Sequence, residues 1–171
     1  NNVMIKVTSL GICTGLGIGF DTNMQQLLAQ YDAFHVPQYL QTRHQFLVAE
    51  VPISNEDLRQ ELHIKDPFLN RTTLLGILAL KEALSSLPTH YLQQKKIAFI
   101  NSTTSGAMTT VEQHYLHFID DQPIDEKYHD MIDEIDATAV TYAMADYFNI
   151  DGYITTISTA CSSAANAILI G

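Results

Sequence analysis

Hydrophobic and polar positions along the chain follow two spacings, one typical of strands and the other of helices. Short runs rich in β-branched and aromatic residues predict strands at residues 3–10, 46–51, 96–100 and 152–158. Apolar positions three or four residues apart predict helices at residues 21–31, 66–87 and 137–148. Acidic residues after Ser54 predict a short helix that begins there, and the polar loop before Ala107 predicts another. This order of elements predicts an α/β fold, layered α/β/α with a mixed sheet.

Polar residues stand at the predicted starts of the first and last of the long helices. Asp21 or Thr22 is expected to cap the first one, with Leu27 and Leu28 facing inward, and Asp136 is expected to cap the last. A side-chain oxygen at this position accepts a hydrogen bond from a free backbone N–H group of the first helical turn.

The last twenty residues contain a strand, a turn and a helix with a cysteine at the turn. Residues 152–158 predict a buried strand, and residues 164–170 are small or apolar, which predicts a helix within the core. Cys161 lies between them, where free N–H groups and the helix dipole favour negative charge on a thiol or an oxyanion. Most cysteines are buried and unreactive. The residues alone therefore leave open both a structural cysteine and a nucleophile.

The residues around Cys161 resemble the active-site signature of a known family. Thr159-Ala160-Cys161-Ser162-Ser163, preceded by Thr156-Ile157-Ser158 and followed by Ala165-Asn166-Ala167-Ile168, is similar to the signature of β-ketoacyl-acyl-carrier-protein synthases. These are the elongating condensing enzymes of fatty-acid and polyketide synthesis, and they have the thiolase fold. A first strand followed by a glycine-flanked loop at residues 11–17 also resembles the family.

The resemblance implies a thiolase-like fold built from two duplicated halves. Residues 1–171 are expected to be the N-terminal half-domain, truncated inside the helix that follows Cys161. The two catalytic histidines and the lysine of the family lie in the second half, so none of the histidines of this chain is assigned a role. The chain alone is therefore expected to be inactive in condensation.

The reaction that the resemblance implies is a decarboxylative Claisen condensation. Cys161 would accept an acyl group from an acyl-carrier-protein thioester, and malonyl carrier protein would then supply the attacking carbanion. The loop at residues 101–106 follows a predicted central parallel strand, and Thr104, Ser105 and Gly106 are the expected substrate-binding residues. A loop that merely caps the next helix would have the same composition. The expected partners are acyl carrier protein, acyl and malonyl thioesters, and a second subunit in a homodimer or a heterodimer with a related chain; no cofactor is implied.

Composition and charge exclude several other classes of protein. The chain has 171 residues, a hydrophobic fraction of 46% and a net charge of −10, which argue for a globular domain without a nucleic-acid-binding surface. No apolar run approaches the roughly 20 residues that span a bilayer, and the first residues lack the pattern of a signal peptide. The chain has only two cysteines, which favours a cytoplasmic location without disulfides. Cys13 is expected to be structural. No spacing of histidines and cysteines predicts a metal site.

Residues 119–136 carry a run of acidic side chains. Their spacing does not match that of a calcium-binding EF-hand loop, so they predict a solvated face.

Three alternative functions remain. A thiolase-type acyltransferase would share the cysteine turn but usually has different residues around it. A non-catalytic chain-length or partner subunit of a condensing-enzyme heterodimer usually lacks the cysteine. A dinucleotide-binding or flavodoxin-like module would need a phosphate-binding loop, and the glycines at residues 11–17 do not have that spacing.

Overall fold

A computed structural model describes residues 5–88, 90–94, 96–119 and 135–171. The chain divides into two compact units, one comprising Asn1–Ile64 and Leu75–Thr89 and the other comprising Lys65–Leu74 and His90–Gly171. Most of the acidic run lies at residues 120–134, outside the described residues.

The first unit contains a small antiparallel hairpin and helices. Its elements are β1 (Cys13–Thr14), β2 (Gly17–Ile18), α1 (Phe20–Leu28), α2 (Asn55–Glu61) and the greater part of α3 (Arg71–Ser85). The predicted start of α2 is confirmed, since Ser54 Oγ accepts a hydrogen bond from the Asp57 N–H group at 3.0 Å. Leu58, Leu62 and Ile77 are fully or almost fully buried and form part of the core.

Polar contacts fix the hairpin and the start of α1 in this unit. The Glu82 carboxylate, on α3, accepts hydrogen bonds from the N–H groups of Ile12 at 2.8 Å and Phe20 at 2.6 Å. Cys13 Sγ lies 3.5 Å from the carbonyl oxygen of Leu75, a contact that supports its predicted structural role. Gly11 lies so close to the backbone of Ala79 that a Cβ there would overlap its carbonyl oxygen.

Two of the predicted strands are wrong. Residues 5–10 form no strand, and Ile5 is 90% exposed, because no other described segment supplies a hydrogen-bonding ladder for them. Residues 46–51 form only a single bridge, between Val48 and His35. Just after that bridge, the Glu50 side chain accepts hydrogen bonds from the backbone N–H groups of residues 38–40. The segment therefore stabilises a loop and does not form part of a sheet.

Two helices begin at residues other than those predicted from the sequence. The first is α1, which has Gly19 and neither Asp21 nor Thr22 at its N-cap position. Its Leu27 and Leu28 are exposed, whereas Asn23 is buried because its side-chain amide donates to the carbonyl oxygens of residues 17 and 19.

The long helix α3 begins several residues later than predicted. Asp66 Oδ1 accepts from the Phe68 N–H group at 2.8 Å in a local turn, so Asp66 and Pro67 precede the helix. Asn70 Oδ1 accepts from the Thr73 N–H group at 3.0 Å and caps the helix instead.

The second unit is built on two parallel strands. Its elements are the first residues of α3, then α4 (Tyr91–Gln94), β3 (Ile97–Ser102), α5 (Met108–Ile119), α6 (Ala137–Tyr147), β4 (Gly152–Ile157), a 3₁₀ turn (Ala160–Ser162) and α7 (Ser163–Ile170). The strands pair in register from Ile97 opposite Gly152 to Ser102 opposite Ile157. The predicted cap of α6 is confirmed, since Asp136 Oδ1 accepts from the Thr138 N–H group at 2.8 Å.

Helices α6 and α7 cover opposite faces of this strand pair. Asn101 Nδ2 donates to Thr141 Oγ1 of α6 at 3.0 Å. The neighbouring Ile100 points the other way, since its Cδ1 lies 3.5 Å from where a Cβ at Gly171, after α7, would be. Successive side chains of a strand alternate between the faces, so the unit is layered α/β/α as the sequence predicted. Together with the antiparallel pair β1–β2, the chain contains both pairing directions.

Candidate active site

Two loops leave the same edge of the parallel strand pair. The last paired residues are Ser102 and Ile157, and the Thr103 N–H group donates to the Ile157 carbonyl oxygen at 3.2 Å. The loop after β3 and the turn after β4 therefore begin side by side, at the carboxyl ends of the strands. In open α/β sheets this is the edge at which ligands bind.

Cys161 lies in the turn that joins β4 to α7. It is the central residue of the 3₁₀ turn Ala160–Ser162, has a free thiol and is exposed to solvent. The preceding Ala160 has φ of 53°, a left-handed conformation that is uncommon for residues other than glycine. A strained turn between a strand and a helix, with a nucleophilic residue exposed on it, is also the geometry of the nucleophile elbow of α/β-hydrolases. The predicted strand–turn–helix order around Cys161 is present, but the strand is not buried as predicted, since Tyr153 is 62% exposed.

Hydrogen bonds from the residues after Cys161 hold the turn. Ser163 Oγ accepts from the Thr159 N–H group at 2.8 Å and donates to the Ala160 carbonyl oxygen at 2.7 Å. Ser162 Oγ donates to the Thr159 carbonyl oxygen at 2.8 Å, and Asn166 Nδ2 donates to Thr159 Oγ1 at 2.8 Å. The polar residues of the sequence motif thus bind one another and the backbone around Cys161.

The sequence predicted that the helix after Cys161 is buried, but in the structure it is largely exposed. Its apolar side chains are mostly exposed, and Leu169 is 83% exposed. The helix has apolar residues on several sides, whereas the strands β3 and β4 cover only one of them. A groove of about 480 Å³ runs between this helix and β3, lined in part by Ala98, Ile100, Ala164 and Ala167.

The fold, unlike the sequence, has a match among known proteins. The chain matches the structure described as "The ishigamide ketosynthase/chain length factor" with a TM-score of 0.72 and 18% sequence identity. The match covers 89% of this chain and 39% of that one, so the chain spans less than half the length of its neighbour. No protein-family model and no curated protein matches the sequence. The fold is thiolase-like.

The three predicted substrate-binding residues occupy different environments in this thiolase-like fold. Thr104 and Ser105 are exposed on the loop after β3, at the sheet edge from which the turn with Cys161 also leaves. Gly106 is buried, with φ of 59°, and a Cβ there would lie 3.2 Å from Ala137 Cα. Thr104, Ser105 and Gly106 thus all stay predicted substrate contacts, and the close packing of Gly106 also gives it a structural reason to be glycine.

Sequence reasoning did not assign roles to Thr159, Ser163 and Asn166. The motif contained them, but only the folded turn shows that their side chains bind one another and the backbone. Polar residues at these three positions, among small and apolar neighbours, were the feature of the sequence that could have indicated their hydrogen bonds. The left-handed Ala160 had no signal in the sequence, since alanine does not favour that conformation.

The part of the chain that the structure describes contains neither a cluster of metal ligands nor a membrane-spanning helix. Within residues 5–88, 90–94, 96–119 and 135–171, no group of three or more histidine, cysteine or acidic side chains is arranged to hold a metal ion. Among the helices of the same residues, none is long and apolar enough to cross a membrane.

Proposed function

We propose that this chain provides the acyl-accepting part of a condensing enzyme, a 3-oxoacyl-acyl-carrier-protein synthase, with Cys161 as the nucleophile. The observation that carries the proposal is the exposed thiol of Cys161 on a strained turn between a parallel strand and a helix. The thiolase-like fold, which the chain shares with a ketosynthase/chain length factor, supports it.

The chemistry begins with acyl transfer. The Cys161 thiolate attacks the carbonyl carbon of the acyl thioester, the carrier thiolate leaves, and the acyl group is held as a new thioester on the enzyme. The Cys161 backbone N–H group lies in the middle of the 3₁₀ turn that leads into α7 and is proposed to stabilise the oxyanion of the tetrahedral intermediate. Malonyl carrier protein then loses carbon dioxide, its carbanion attacks the acyl-enzyme carbonyl, and the Cys161 thiolate leaves as the 3-oxoacyl product forms.

The substrate and partners follow from the same proposal. Thr104 and Ser105 would line the acyl-binding site at the sheet edge. Acyl carrier protein would deliver both the acyl and the malonyl group, in the cytoplasm, and a second subunit would complete a homodimer or a heterodimer. Residues outside this chain would supply the histidines and the lysine for decarboxylation. The chain alone is therefore proposed to be inactive in condensation. The reaction of the complete enzyme is proposed to need neither a cofactor nor a metal ion.

A second candidate is a non-catalytic subunit that sets chain length. It is favoured by one observation, namely that the structural neighbour is described as both a ketosynthase and a chain length factor. Such a subunit would bind a catalytic partner and would accept no acyl group on Cys161.

The deciding experiment is acyl transfer, measured by intact mass and peptide mapping. The complete natural chain that carries residues 1–171 is incubated with an acyl-carrier-protein thioester in the absence of malonyl donor, so that the acyl-enzyme accumulates. An adduct on Cys161 is expected, with none after Cys161→Ala and an unchanged yield after Cys13→Ala, the matched control. A folded protein that acquires no adduct would reject the catalytic proposal and favour the chain-length subunit.

A further inference from the structure

The hydroxyl group of Ser163 spans the turn on which Cys161 lies. Ser163 is 3% exposed, and its single oxygen accepts from the Thr159 N–H group at 2.8 Å and donates to the Ala160 carbonyl oxygen at 2.7 Å. Both backbone groups belong to the two residues that precede Cys161. The hydroxyl group therefore fixes the backbone on the upstream side of the cysteine, from a position on its downstream side.

The backbone conformation that this hydroxyl group spans is strained. Ala160 has φ of 53°, and a Cβ-bearing residue keeps such a conformation only where its surroundings hold it. The Ala160 carbonyl oxygen, which accepts the Ser163 hydrogen bond, belongs to the peptide group that leads into Cys161. A contact to that group constrains the direction in which the chain enters Cys161.

The other polar side chains of the turn act at a different point. Ser162 and Asn166 both reach Thr159, through its carbonyl oxygen and its hydroxyl oxygen at 2.8 Å. Ser162 is exposed, so water can replace its hydrogen bonds, whereas the Ser163 side chain is buried and its hydroxyl group lies in a space that water reaches less readily. Ser163 is thus the member of the set whose loss most affects the conformation next to the thiol.

We infer that Ser163 is a positioning residue that holds Cys161 at the amino-terminal end of α7 in the orientation in which its thiolate is stabilised. Ser163 itself touches no reacting atom. The inference rests on the proposed function only in taking Cys161 as the reactive thiol. When the hydroxyl group is removed, the Thr159 N–H group loses this acceptor and the Ala160 carbonyl oxygen keeps only the Ser163 N–H group, so that Ala160 relaxes toward negative φ and Cys161 leaves the end of the helix.

The test measures alkylation of Cys161 by iodoacetamide, quantified by peptide mapping, with Cys13 as an internal reference. Ser163→Ala is expected to lower the Cys161 rate at pH 7 by about fivefold, the factor that corresponds to roughly 1 kcal/mol of lost helix-dipole stabilisation. At pH 10, where exposed thiols are ionised in any case, the variant and the wild-type rates are expected to agree within about twofold. If Ser163→Ala only made the turn more flexible, the Cys161 thiol would become more accessible, and its alkylation rate would rise at both pH values.

Three variants control the experiment. Ser163→Thr keeps the hydroxyl group and is expected to restore the pH 7 rate, and Ser162→Ala, at the exposed neighbour, is expected to leave that rate unchanged. Ala160→Gly in the Ser163→Ala background is expected to recover most of the rate, because glycine adopts positive φ without strain. Where Ser163→Ala fails to fold, the double variant and Ser163→Thr decide the question in the same assay.

Each outcome decides the inference. A folded Ser163→Ala protein with the wild-type rate at pH 7 would overturn it, and so would an equal loss at pH 7 and pH 10. A rate that Ser163→Thr does not restore would overturn it as well. The assay uses no carrier thioester, so a Cys161 that responds to Ser163 as expected but accepts no acyl group would reject the proposed function and leave this inference standing.

Discussion

Thr141 Oγ1 lies 2.6 Å from Thr156 Oγ1, so that a hydrogen bond joins helix α6 to strand β4 beneath the turn that carries Cys161. Thr141 is fully buried and also accepts a hydrogen bond from Asn101 Nδ2 of strand β3 at 3.0 Å. One hydroxyl group thus connects a helix to both parallel strands at the end from which the loops leave. The two strand ends are held in a fixed register by a side chain that belongs to neither.

Replacing Thr141 by valine is expected to destabilise the protein. The substitution keeps the shape of the side chain but leaves the half-buried Thr156 hydroxyl and Asn101 amide without this partner, at a cost of about 1–3 kcal/mol in the free energy of unfolding. Urea denaturation measures the change, with Thr138→Val at an exposed position of the same helix as the control. A Thr141→Val protein as stable as the control variant would show that this hydrogen-bond bridge contributes nothing.

A side chain at position 106 is expected to destabilise the protein. Gly106 has φ of 59°, and a Cβ at this position would lie 3.2 Å from Ala137 Cα. Gly106→Ala should therefore lower the free energy of unfolding by about 1–2 kcal/mol, the cost of a left-handed conformation for an L-residue. Ser105→Ala, one residue earlier and exposed, is the control and should change the stability by less than about 0.5 kcal/mol. The prediction fails if both variants unfold at the same urea concentration.

Alanine-to-glycine substitutions should have different effects on the two sides of Cys161. Ala160 has φ of 53°, so a glycine there relieves about 1 kcal/mol of backbone strain in the folded state. This gain offsets the loss of stability that results from the greater conformational freedom of glycine in the unfolded chain. Ala165 lies within helix α7, where glycine costs about 1 kcal/mol. Thermal or urea unfolding of Ala160→Gly and Ala165→Gly is expected to show the first near the wild type and the second less stable. Equal losses would mean that Ala160 is not strained in solution.

The Glu50 side chain is expected to make stability depend on pH. Partial burial raises the pKa of this carboxyl group, but the backbone N–H groups of Gln38, Leu40 and Tyr39, with a smaller contribution from His35, outweigh it, so that the pKa lies below its ordinary value. A lowered folded-state pKa gives stability that is present above the unfolded-state pKa of Glu and is lost as the pH falls through the folded-state pKa.

The measurement compares wild type and Glu50→Gln by urea denaturation at pH 7 and at pH 3. At pH 7 the variant should be less stable by about 1–2 kcal/mol, because amide oxygens accept these hydrogen bonds less strongly than a carboxylate does. At pH 3 the difference should shrink, since the wild-type group is then increasingly protonated. Glu112→Gln, at an exposed position of α5, is the control substitution. A difference that is constant with pH would contradict the assigned cause.

Local features that depend on neighbouring residues could be predicted from the amino-acid sequence. The capping contacts of Ser54 and Asp136 and the strand–turn–helix around Cys161 were all predictable, because each depends on side chains within a few positions. Apolar runs also identified β3 and β4, and the α/β class followed from the order of elements. The thiolase-like fold was predicted from the resemblance of one short motif and its flanking residues.

Features that depend on residues distant in the chain could not be predicted from the local sequence and are seen only in the folded protein. Residues 5–10 have the composition of a strand but form none, because a strand also needs a partner whose position the local sequence does not specify. Leu27 and Leu169 have the spacing of core residues but are exposed, since periodicity defines a face without specifying what covers it. The left-handed φ of Ala160 and the bridge formed by Ser163 also arise only on folding, when the contacts across the turn hold a conformation that alanine alone does not favour.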